Sequence, residues 1–214
     1  MVSSGTNSGN WSCTPITDYS SYANRLWTAG SGDITGIVYG TCDTCAVAPA
    51  PTPVQAPLFF SEYAEGSSHN KYFEIYNPTS DTVSLSNYAY PSVANAPSTP
   101  GQYEYWNDFD AGAYILPNDV YVVAHPSADP LISVHADETH QYLSNGDDGY
   151  ALVQGTEDDY VIIDTIGDFN GDPGSGWDVA GVSGATQNQT LVRKSTITKG
   201  NSDWTTSRLS LIHI

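Results

Sequence analysis

Residues 58–77 read LFFSEYAEGSSHNKYFEIYN. Two apolar and aromatic runs, 58–65 and 71–77, flank GSSHN, whose small and polar residues suit a hairpin or a short connection. Tyr, Val, Ile and Thr fit a pleated surface, and runs of the same kind recur downstream. They are VSLSNYAY (83–90), YEYW (103–106), AYILP (113–117), DVYVVAH (119–125), YALVQ (150–154), DYVIIDTIG (159–167) and TLVRKSTI (190–197). Gly, Pro, Asn and Asp separate them. In DVYVVAH, Val120, Val122 and Ala124 share one face while Tyr121 and Val123 share the other, as a strand requires. Only ADPLISVHADETHQYL (128–143) has helical character, and Pro130 breaks it. Many short strands at regular spacing with little helix predict an all-β fold, an antiparallel β-sandwich.

Toward the N-terminus the pattern changes at AVAPAPTPVQAP (46–57). Alternating Pro and Ala favour an extended, semi-rigid spacer. Residues 1–45 are rich in Ser, Gly, Thr and Asn. They hold one predicted strand, Ile34 to Tyr39, and a small apolar cluster of Tyr22, Leu26 and Trp27. So little apolar material cannot close a core alone. The segment reads as the remnant of an upstream domain, or as a disordered or partly ordered N-terminal extension. No stretch approaches the roughly 18 apolar residues of a membrane span. MVSSGTNSGNWSC lacks the regions of a signal peptide, and the chain reads as a piece of a longer protein at both ends.

The charge limits the partners. Six Lys plus Arg stand against 24 Asp plus Glu, a formal net charge of -18. Nucleic-acid affinity comes from neutralising phosphates with basic side chains, so direct binding to DNA or RNA is disfavoured. Apolar residues make up 39% of the chain and aromatic ones 12%, with 15 tyrosines, enough for a strand-built core. Cys42 and Cys45 form a CDTC pair and Cys13 stands alone. A zinc site needs a fourth ligand at suitable spacing, so the pair reads as a local disulfide or two free thiols. Asn10 and Asn188 sit in N-x-S/T sequons.

GDFNGDPGSGWDVAG (167–181) carries the one cation pattern. Asp168, Asn170 and Asp172 alternate as hard cations favour, because Ca²⁺ takes six to eight oxygens. Asp178 and Asp164 are candidates to complete such a site. The run lacks the distal bidentate Glu of an EF-hand loop, and Asp-Pro-Gly-Ser-Gly is good turn chemistry by itself. The stretch therefore reads first as a turn and second as a Ca²⁺ site. NGDDG (145–149) reads as a tight turn, with Asp147 and Asp148 as alternative cation ligands. The spacing of His135 and His140 misses the zinc-protease motif, and His69 and His125 lack ligand-spaced neighbours, so the histidines read as exposed or locally bonded. GVSGA around Ser183 misses the nucleophile-elbow pattern. Carboxylate pairs for glycoside hydrolysis are open to any acidic β-protein, and nothing in the sequence selects one. In YEYWNDF (103–109), Tyr103, Tyr105 and Trp106 either close one end of the sandwich or form a recognition surface.

The ordered set FFSEYAEGSSHNKYFEIYNPTSDTVSLSNYAY (59–90), YLSNGDDGYAL (142–152), DTIGDFNGDPGSGWDVAGV (164–182) and TLVRKSTITKGNSDW (190–204) resembles the lamin tail domain family, over about residues 58–204. The closest resemblance is to variants in exported bacterial proteins. The resemblance implies an immunoglobulin-like sandwich and structural roles for Gly174, Gly176 and Trp177. It also implies a non-catalytic extracellular or cell-surface module, accessory to a larger protein such as a nuclease or phosphatase. The expected partner is an extracellular protein or glycan, with no cofactor required beyond a candidate Ca²⁺. After NSDW the family pattern usually continues into a final aromatic strand; here residues 205–214 form an atypical tail. RLSLIHI suits neither an edge strand nor a polar tail, so a strand is expected to be missing.

Overall fold

The computed structural model describes residues 16–17, 23–24, 57–143 and 145–214. Two compact units make up the chain, Met1–Val54 and Gln55–Ile214. In the first, Ile16–Thr17 (β1) pairs antiparallel with Ala23–Asn24 (β2). The strand expected at 34–39, the Tyr22 cluster, the CDTC pair and the linker up to residue 56 lie outside the described residues.

In the second unit Phe59–Glu65 (β3) and Lys71–Tyr76 (β4) form an antiparallel hairpin. Gly66 closes its loop by donating its N–H to the Asn70 carbonyl at 2.8 Å. A register shift between Phe60 and Glu62 lets Phe60 and Tyr63, three residues apart, both reach the core. The remaining strands are Val83–Ser84 (β5), Tyr88–Ala89 (β6), Ser92–Val93 (β7), Tyr114–Ile115 (β8) and Val120–Ala124 (β9). After the short helix Pro130–Ser133 (α1) come Glu138–Thr139 (β10), Gly149–Thr156 (β11), Asp159–Ile166 (β12) and Gln189–Arg193 (β13). Trp204–Ser207 (α2) and Leu211–His213 (β14) end the unit.

One sheet runs β10-β9-β4-β3-β13-β14, and the facing sheet runs β12-β11-β6 with β7 also on β11. Only the β9–β10 pair is parallel in these sheets. Alternate residues of β4, namely Phe73 and Ile75, point into the core. There Phe73 meets Phe60 edge-on at 5.4 Å, and Tyr90 at 5.2 Å and Tyr150 at 5.6 Å from the opposite sheet. The all-β sandwich expected from the strand spacing is the observed architecture.

β11 is buried on both faces. Tyr150 and Leu152 face the core, while Ala151 and Val153 join a second cluster with Ala89, Val93 and Phe169. Tyr103, Trp106 and Tyr160 cover this second cluster, so Tyr103 and Trp106 lie on the outer face of the smaller sheet instead of closing an end of the sandwich. VSLSNYAY divides into β5 and β6, which belong to different sheets. The helix expected within 128–143 is confined to α1.

Two further readings are corrected. Residues 211–213 do form an edge strand: Leu191 pairs with His213 and Arg193 with Leu211, and Leu211 is fully buried. Their alternation of buried and exposed side chains suits that place. Asp164, a candidate cation ligand in the sequence, is 0% exposed and accepts a hydrogen bond from Arg193 Nη2 at 2.6 Å. A buried carboxylate next to a buried guanidinium is a structural ion pair.

Candidate functional site: a histidine-lined cleft

At the end of the sandwich where the β3–β4 hairpin turns lies a cleft of about 820 Å³. Strand pairing brings its basic wall together. Lys71 N–H donates to the His69 carbonyl at 2.8 Å, and His125 N–H donates to the Lys71 carbonyl at 3.0 Å. Three basic side chains thus converge from the hairpin loop, the start of β4 and the exit of β9. Neutral hydrogen-bonding side chains such as Ser68, Asn95 and Gln141 line other parts of the cleft.

The His69 and His125 rings stack, with centroids 4.2 Å apart and planes 15° from parallel. His69 is exposed and His125 is buried. His125 Nδ1 accepts the Ser127 N–H at 3.0 Å, which fixes the neutral tautomer protonated on Nε2. Burial pushes the His125 pKa down, and neighbouring His69 and Lys71 push it the same way; a hydrogen bond with the Gln141 backbone opposes them. His140 stands edge-on to Tyr90 at 5.6 Å, where burial also lowers its pKa against the pull of Glu138. The buried Lys71 ammonium donates to Asn145 Oδ1 and lies 3.5 Å from Glu65.

Asp148 also lines the cleft. Burial raises its pKa, opposed by the Asn95 N–H that it accepts at 3.0 Å. Glu138 supports the wall from below: its carboxylate accepts from the Tyr90 and Tyr121 hydroxyls and from the Asp110 N–H, at 2.7, 3.0 and 2.9 Å. Two exposed rings reach the mouth, Tyr105 at 55% and Tyr142 at 77% exposure.

The residues singled out for calcium are distributed among local turns. Asp168 Oδ1 accepts the Asn170 N–H at 2.7 Å, and Asp172 Oδ1 accepts the Gly174 N–H at 2.7 Å. Asp178 Oδ1 accepts the Gly184 N–H at 3.0 Å. Hydrogen bonds from Ser183 and Gly184 hold the Asp178 carboxyl below its usual range. Among the described residues no three or more His, Cys, Asp or Glu side chains come together to hold a metal. Trp177 has a structural place, donating from Nε1 to the Asp148 carbonyl at 3.0 Å.

The aromatic candidates divide. Tyr103, Trp106 and Tyr160 form a triangle with centroids 5.3–6.0 Å apart, and the Tyr103 hydroxyl donates to Glu157 at 3.1 Å. Tyr105 alone of the three sequence candidates belongs to the cleft. The histidine wall carried no local signal: His69 and His125 are joined by the β4–β9 register, which no spacing in the sequence reveals.

No helix among the described residues is long and apolar enough to cross a membrane. Comparison with curated proteins gives no match. The family model of the lamin tail domain matches residues 51–168, more than half of the chain, and takes in both walls of the cleft. The chain belongs to the lamin tail domain family, whose members are immunoglobulin-like domains.

Proposed function

We propose that this domain is a non-catalytic attachment module of a larger exported protein, such as a nuclease or phosphatase, and that its cleft holds an extracellular glycan. The exposed rings of Tyr105 and Tyr142 at the mouth of one cleft carry this reading. Exposed aromatic surface marks recognition sites, and a ring with an apolar face and a polar tip suits a pyranose. Neutral donors and acceptors on the walls suit sugar hydroxyls.

Binding of the full chain to immobilised glycans tests the proposal. Tyr142→Ala removes a side chain that is 77% exposed and is expected to weaken binding about tenfold, or ~1.4 kcal/mol, with an unchanged melting temperature. Equal binding by the variant and the parent would remove the cleft from the proposal. Turnover of nucleic acid, phosphoesters or glycans by the isolated chain would overturn the non-catalytic part.

A further inference from the structure

We propose that the paired imidazoles of His69 and His125 make the cleft a pH-gated site for a carboxylate-bearing glycan: neutral, they stack and hold the 66–70 loop against the exit of β9; protonated, they part and present a cationic wall. This rests on the attachment-module reading and adds the ligand's charge and the regulation of its binding.

The closed arrangement is built for neutral rings. Proton uptake at His125 Nδ1 removes the acceptor of the Ser127 N–H. The new charge would also face His69 at 4.2 Å, beside the Lys71 ammonium, whose charge already pushes the His125 pKa down. Like charges in a partly dry site repel strongly. Acid therefore favours an arrangement in which the exposed His69 withdraws with its loop. That loop is also tied by Asn70 Oδ1, which accepts the Asp129 N–H at 2.9 Å.

The groups around the stack leave the new charge little compensation. Glu65 lies 3.5 Å from Lys71 and also accepts the Asn188 N–H. Glu138 is held by Tyr90, Tyr121 and Asp110. Asp148 accepts the Asn95 N–H, and Asp129 caps α1 through the Leu131 N–H. His140 adds a third imidazole.

A ligand carboxylate supplies the counter-charge that the opened wall lacks, and by linkage it binds more tightly as the rings take up protons. The rim rings favour a sugar over an acidic peptide. The net charge of -18 opposes long polyanions, so short oligomers in physiological salt are the suitable probe.

The experiment titrates the full chain with a galacturonate hexamer, a neutral galactan hexamer and a glutamate hexamer at about pH 5.0 and about pH 7.5, the lower set well below imidazole's ordinary ~6.5 because burial, His69 and Lys71 push the His125 pKa down. Amide exchange of residues 66–71 is followed in parallel without ligand and corrected for intrinsic pH dependence. Oligogalacturonate is expected to bind about tenfold tighter in acid, and exchange protection of the loop to fall. His69→Ala changes an exposed residue; it should lose most of that pH dependence and show the acid level of loop protection at both pH values. Equal affinity at both pH values, or a pH dependence unaltered in His69→Ala, would overturn the gate. Binding of oligoglutamate without oligogalacturonate would overturn the glycan assignment. Neutral galactan binding as tightly as oligogalacturonate at both pH values would overturn this inference while leaving the attachment module standing. No binding to either sugar would overturn both.

Discussion

Arg193 and Asp164 hold the two sheets together from strands on opposite sides of the core. Arg193 Nη2 lies 2.6 Å from Asp164 Oδ2, with the two side chains 2% and 0% exposed. The same Asp164 oxygen accepts the Phe60 N–H at 2.9 Å, and Arg193 Nε donates to the Phe60 carbonyl at 3.0 Å. Ser207 in α2 and Asn201 complete the cage, donating to Asp164 Oδ1 at 3.3 and 3.0 Å. Burial pushes the Asp164 carboxyl up and the Arg193 guanidinium down, each against the pull of its partner's charge. Removing one partner leaves a buried charge uncompensated, so Arg193→Met should cost about 3–5 kcal/mol in denaturant unfolding. The double variant Asp164→Leu/Arg193→Met should lose less than Arg193→Met alone. A larger loss in the double variant would contradict this account.

Stability should also fall in acid through the histidines of the cleft. The His125 pKa is depressed, by burial first and then by His69 and Lys71, and burial likewise depresses that of His140. A base with a depressed folded pKa contributes stability above its unfolded pKa, about 6.5. That contribution is lost as pH falls through the folded value. The melting temperature should therefore decline below about pH 6.5, and less steeply in His125→Gln. An identical pH profile for the variant would assign the decline to other groups.

The aspartates of 168–178 each accept a main-chain N–H within a turn. Asp172→Ala loses the hydrogen bond to Gly174 and should cost about 1 kcal/mol. The cost should be the same in EDTA and in millimolar Ca²⁺. Calcium at about 100 times its dissociation constant would instead stabilise the parent by ~2.7 kcal/mol. A gain of that kind, absent from Asp172→Ala, would establish a cation site.

Gly167 is held open for an indole. Its φ is +72°, and an added Cβ would come within 2.5 Å of Trp177 Nε1. Gly167→Ala should destabilise by about 2 kcal/mol and shift the tryptophan emission as Trp177 is displaced. An unshifted spectrum would show that the Trp177 ring does not move.

Trp106 and Tyr105 are neighbours with different roles. Trp106 packs on the cluster behind β11, so Trp106→Ala should lower stability by about 2 kcal/mol. Tyr105 is 55% exposed, and Tyr105→Ala should leave the melting temperature nearly unchanged. A comparable loss in both would mean that Tyr105 is also a packing residue.

The two-sheet architecture was legible because apolar runs such as KYFEIY and YALVQ carry their own strand signal, and because GSSHN and Glu157–Asp158 fall between paired strands. Whether VSLSNYAY was one strand or two was not legible, since the break at Leu85–Asn87 depends on which sheet each half joins. The edge strand at Leu211 escaped notice for a similar reason. Its alternation is only three residues long, and its place is set by β13. The Asp164–Arg193 pair and the His69–His125 stack unite residues far apart in sequence. Such pairs follow from topology, and neither member has a local pattern that announces the other.

β11 runs through the middle of three plies, with the opposing sheet on one side and the Tyr103–Trp106 segment on the other. Water has no short route to its central amides at Ala151 and Leu152, both 0% exposed. Their protons should leave only when the whole domain comes apart. The strand is thus a built-in gauge: its exchange rate reads the stability of the entire fold, while the hairpin loop above the cleft reads only its own opening.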